Sequence, residues 1–172
     1  GDLTFAAAVV GRAMQQEAAW SGGRMTTLIG WLETLPPSAF RDDPLASLNA
    51  SRILYLSGRF DQSTAMIDQA EEALRQESPP SAEKEGLLAL AAVYRGGIAS
   101  VRGDVRRAIE HSHYAQAHLS AKDRLPLARA AYSLGLAYEI SGQTGQAVKA
   151  YLSSSDLARS AGVLFLAVNA RC

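Results

Sequence analysis

Apolar residues recur along this chain at helical spacing and rarely at strand spacing. Met25, Leu28, Ile29 and Leu32 stand at i, i+3, i+4 and i+7, which predicts a helix with one buried stripe. Leu87, Ala91, Tyr94, Ile98 and Val101 alternate steps of four and three, and Leu127, Ala131, Leu134 and Tyr138 do the same. The first helix runs into Pro36-Pro37, where neither residue offers an amide and each restricts its predecessor. Asp43 then offers an N-cap and Pro44 a first helical position, so the segment between reads as a hinge between packed helices. The run from Val163 to Val168 suits a strand when taken alone, but its place in the series predicts another helix.

Short glycine turns punctuate the helices at Ser57 to Phe60, Arg102 to Val105 and Ser141 to Thr144. Glycine suits the left-handed position just past a helix end, where a Cβ costs about 1 kcal/mol. Aligning the chain on Gly23, Gly58, Gly103 and Gly142 exposes a repeat with intervals of 35, 45 and 39 residues. These units resemble tetratricopeptide repeats, which have Leu-Gly and an aromatic before the turn, then small, aromatic and small positions after it.

The last unit matches best, with Leu134-Gly135, Tyr138, Gly142, Ala147, Tyr151 and Ser154. The third supplies Gly96, Ala99, Gly103, Ala108 and Ala115, and the second Leu54, Gly58, Ser63, Ile67 and Ala70. Surplus length falls in two linkers, Arg75 to Gly86 and Leu119 to Pro126. The expected fold is all-α, a right-handed α-α superhelix of helix pairs forming one domain over residues 1–172. Its repeats run roughly over 1–36, 43–78, 81–120, 124–160 and 161–172, the last being the first helix of a fifth pair.

Composition narrows the function classes. Seventeen basic residues balance seventeen acidic ones, which disfavours phosphate-backbone binding, and Arg102, Arg106 and Arg107 read as a solvated helix face. One cysteine excludes an internal disulfide framework and suits the cytoplasm. No apolar run reaches membrane-spanning length, and the Phe5 to Val10 run is too short and unflanked by basic residues for a signal peptide. The chain lacks an initiator Met and stops within an apolar run, so it is expected to be a piece of something longer.

Catalytic and metal chemistry find no support. His111, His113 and His118 share one predicted helix, no two of them at the i, i+4 spacing that zinc favours, and they read as a solvated helix face. Glu71 and Glu72 diverge on a helix, and Cys172, Trp20 and Trp31 read as core residues. No catalytic residue, metal ligand or bound cofactor is assigned, and the protein is not expected to be an enzyme.

Binding is better supported. In tetratricopeptide stacks the first helix of each pair lines a concave groove. The matching positions are Asn49, Arg52 and Tyr55 in the second unit, Tyr94 with Gly97 and Ser100 in the third, and Arg129, Tyr132, Ser133 and Glu139 in the fourth. Aromatic rings beside Arg, Asn and Glu suit a polar, ring-shaped small molecule or an extended peptide.

Taken together, residues 27–36, 42–74, 99–119 and 128–162 resemble the helical-repeat region of the large LuxR-type transcription activators of the signal-transduction ATPase class. The Trp-Leu-x-x-Leu-Pro element at Trp31 to Pro36 is the most specific mark. The resemblance implies a sensor region between an ATPase and a helix-turn-helix. A small inducer or regulatory protein bound there biases ATP-dependent self-association. The chain itself has no phosphate-loop motif and no recognition helix, so ATP and DNA belong to flanking domains. The alternative is a stand-alone tetratricopeptide scaffold that binds peptide segments of partner proteins.

Overall fold

A computed structural model describes residues 9–11, 24–76 and 81–170. The described residues are helical throughout, without a strand. From Arg24 onward they form α1 (Arg24–Thr34), a 3-10 turn (Pro37–Phe40), α2 (Pro44–Leu56), α3 (Phe60–Gln76), α4 (Ala82–Val101), α5 (Val105–His118), α6 (Arg124–Ile140), α7 (Thr144–Ser160) and α8 (Leu164–Asn169). The chain divides into two compact units, residues 1–87 and 88–172, and the division falls inside α4. No described helix is long and apolar enough to cross a membrane.

In the first unit the predicted stripe packs as expected: Leu28 is buried, and Met25, Ile29 and Leu32 lean on the same core as Ile53, Leu54 and Met66. Trp31 lies to one side of that stripe and is 43% exposed, so the expectation of a core tryptophan is corrected. Trp20, Gly23 and Cys172 lie outside the described residues.

The proline hinge has a packing purpose. Pro36 is extended (φ −66°, ψ 144°), and the 3-10 turn that follows delivers Phe40 into the core with 1% exposure. Ser47 Oγ donates to the Phe40 carbonyl at 2.9 Å, and Gln69 Nε2 donates to the Pro37 carbonyl at 3.1 Å. Asp43 accepts from the Ala46 amide at 2.9 Å, which caps α2 as its residue type predicted.

The helix turns repeat one hydrogen-bond design. Gly58, Gly103 and Gly142 have φ between 74° and 77°, and each donates to the carbonyl three residues back. The following amide reaches the carbonyl five residues behind it, as in Arg59 to Leu54, Asp104 to Ala99 and Gln143 to Tyr138. This is the Schellman arrangement, and it lets a second helix fold back at once. Gly162 makes a fourth such turn between α7 and α8, with the Val163 amide on the Ala158 carbonyl. The glycine alignment above had not included it. The predicted linker from Arg75 to Gly86 is shorter than expected, because α4 already begins at Ala82.

The three hairpins share a register. The position seven residues before the turn glycine is Ser51, Gly96 or Gly135, and the position five after it is Ser63, Ala108 or Ala147. All six are buried. Small side chains bring the two helices close, and buried serines staple the contacts. Ser63 Oγ lies 2.9 Å from the Ser51 carbonyl, and Ser154 Oγ lies 2.8 Å from that of Ala128. Each such bond is worth about 1 kcal/mol net.

Candidate binding surface

The positions expected to line a groove separate into two sets. Asn49, Arg52, Tyr94 and Ser133 are buried, with exposures between 3% and 6%, and so are Gly97 and Ser100. Tyr55, Arg129 and Tyr132 are half-buried, and Glu139 is exposed. Asn49, Tyr94 and Ser133 occupy the same register position, nine residues before their turn glycines. Ser100 Oγ donates to the Ser133 carbonyl at 3.0 Å and to that of Gly96 at 2.8 Å, so in the second unit these positions join α4 to α6. In the second unit, contact between α4 and α6 therefore encloses positions that a single repeat leaves open. The Asn49 Nδ2 group is buried without a hydrogen-bond partner among the described residues, and Tyr55 packs its ring on Phe60 at 5.9 Å.

What the structure does bring together is a corner on α6 and α7. Tyr132 and Glu139 lie two turns apart on α6, and Tyr151 reaches over from α7 between them. The Tyr132 and Tyr151 rings meet at 5.5 Å between centroids with a 59° tilt. Tyr151 Oη donates to Glu139 Oε2 at 2.6 Å, a charge-assisted bond that fixes the ring over α6. Burial, then that bond and the negative charge of Glu139, hold the Tyr151 phenol above the usual tyrosine range.

Gly135 makes this seating possible. A Cβ there would lie 2.5 Å from Tyr151 Cδ1 and Cε1, closer than any real contact allows. The glycine that reads as a repeat signature thus leaves the flat space on α6 where an aromatic side chain can rest. Tyr151 was visible in the sequence as a repeat-pattern aromatic but not as a surface residue. The signal that marks it is its coupling to Gly135 across the turn.

His113 Nε2 on α5 lies 3.3 Å from Tyr138 Oη on α6. His118 stacks on Tyr114 at 4.1 Å, within its own helix. Among the described residues no three His, Cys, Asp or Glu side chains cluster as metal ligands. Arg102, Arg106 and Arg107 are exposed, and Arg107 pairs with Asp104 of its own helix start. A shallow open depression of about 390 Å³ lies between the start of α6 and the end of α7, lined by Ala121, Arg124, Ser153, Asp156, Leu157 and Ser160. It is separate from the tyrosine corner.

In comparison with known proteins, the chain matches no family model, no curated protein and no solved structure.

Proposed function

We propose that this chain is a non-catalytic binding module built from tetratricopeptide-like helix pairs in a right-handed superhelix. Its best reading is the effector-sensing region of a LuxR-type transcription regulator. A small inducer or a regulatory protein binds it and biases the self-association of the intact protein. ATP and DNA contacts belong to flanking domains, and the setting is the cytoplasm.

The observation that carries the binding reading is the Tyr132–Tyr151–Glu139 corner, two aromatic faces and a charged carboxylate held on recurring helix hairpins. Recurrent hairpins suit sensing because small changes at each interface add along a stack. The effector must prefer one arrangement, and a roughly 100-fold preference corresponds to about 3 kcal/mol. The second reading, a peptide-binding scaffold, draws on the same corner and differs in what flanks the chain.

Two measurements test this. Thermal-shift screening of the chain against saccharides, nucleotides, amino acids and short peptides should give at least one ligand that raises Tm. The gain should vanish in the Tyr132→Ala/Glu139→Ala double variant, and a gain that persists moves the site elsewhere. Sequencing the neighbouring coding regions separates the two readings. A phosphate loop on one side and a helix-turn-helix on the other support the regulator. Further repeats with neither motif leave the scaffold.

A further inference from the structure

The corner on α6 and α7 has a chemistry that selects among ligands, an inference that rests on the binding reading above. Tyr151 Oη occupies Glu139 Oε2. Glu139 Oε1 makes no hydrogen bond among the described residues, and the side chain is exposed, so acceptor capacity remains on the solvent side. The Tyr132 and Tyr151 rings, tilted 59° at 5.5 Å and both partly exposed, lie beside that carboxylate.

Aromatic faces are electron-rich, so rings and carboxylate present negative potential to the same space. An anion is repelled there, and a neutral group leaves the carboxylate unused. A cation engages both kinds of group, by contact with a ring face and by pairing with Oε1.

The neighbouring positive charges leave this space unclaimed. Arg129 stands one turn before Tyr132, on the side away from Glu139, and it is half-buried and already engaged. Lys149 is two residues from Tyr151 and so lies on a different face of α7. The hydroxyl of Tyr151 stays protonated across the neutral range and so remains a donor to Glu139 Oε2.

We propose that the Tyr132–Tyr151–Glu139 corner receives an arginine side chain from an extended segment of a partner protein. Guanidinium suits it better than ammonium, because a planar group stacks on a tyrosine face while its fork reaches a carboxylate.

The test uses the whole chain and two probe peptides, acetyl-Ser-Arg-Ser-amide and the same peptide with neutral citrulline replacing arginine. NMR titration should move the ring resonances of Tyr132 and Tyr151 with the arginine peptide, and citrulline should bind at least tenfold more weakly. Glu139→Gln should lose about tenfold for arginine and nothing for citrulline, with its amide spectrum unchanged as proof of folding. Equal binding of the two peptides, or an undiminished Glu139→Gln, overturns the arginine assignment. Ring shifts produced by a neutral disaccharide but not by the arginine peptide also overturn it and leave the binding surface standing. Silence from peptides, disaccharide and the thermal-shift library removes both.

Discussion

The hairpins α4–α5 and α6–α7 use the same position for opposite ends. Gly96 and Gly135 both stand seven residues before a left-handed turn glycine, and the facing residue on the second helix is Ser112 in one and Tyr151 in the other. At Gly96 the helices close down, and a Cβ would meet Ser112 Oγ at 2.8 Å, with the next atoms at 3.5 and 3.6 Å. At Gly135 the same absent side chain makes room for a ring that continues to the surface and bonds Glu139. One hairpin yields a sealed crossing and the other a chemically distinctive surface, from a backbone plan they share. A repeat fixes where helices approach, while the residue opposite the glycine decides what is presented.

The largest expected effect tests that contrast directly. Gly135→Ala places a Cβ against the Tyr151 ring and should cost about 1–3 kcal/mol by overpacking. With Tyr151→Ala already present, the same change should stabilise by up to about 1 kcal/mol, because alanine is then free to express its helix propensity. Chemical denaturation of the four proteins in the cycle reads the sign change. A cost that persists without the ring means that glycine serves the backbone there and not the tyrosine.

A middle-sized effect concerns the serines. Ser154 Oγ is fully buried and bonded to the Ala128 carbonyl, so Ser154→Ala should cost about 1 kcal/mol. Ser112 Oγ is equally buried but has no hydrogen-bond partner among the described residues. Ser112→Ala should therefore be neutral or slightly stabilising, since the hydroxyl is desolvated without return. Equal losses at both sites, measured as denaturation midpoints, break the claim that the α4–α5 crossing depends on size alone.

The smallest effect is an alkaline one. The Tyr151 phenol is held above its usual range, so above about pH 10 the unfolded chain releases a proton that the folded chain keeps. Its contribution is fully present below pH 10 and declines as pH rises further. Tyr151→Phe should flatten the loss of stability between pH 10 and 12 relative to the parent, and parallel profiles would show that burial and the Glu139 bond do not hold the phenol up in solution.

Much of the fold was legible because local chemistry dictates it. The Pro36-Pro37 stop, the Asp43 cap with Pro44, and the turn glycines at 58, 103 and 142 all act within a few residues of themselves. The helical character of Leu164 to Asn169 followed from its place in the series, against an ambiguous composition. Trp31 was misplaced because size suggested burial, whereas its angle on α1 puts it beside the stripe.

The candidate site was less legible. Register alone put Asn49, Arg52, Tyr94 and Ser133 on an open face, and they are buried. The same register put Tyr132 and Glu139 on a face that does stay accessible, but gave no sign that Tyr151 joins them.

By itself, then, the sequence determined where helices start and stop, which residues are small at the crossings, and that the described residues build helices and no strand. These properties arise from capping, propensity and short-range sterics. Only the tertiary structure decided which polar positions are enclosed and which three side chains meet. Burial depends on what packs against a helix from elsewhere in the chain, and a helix carries no local record of its neighbours.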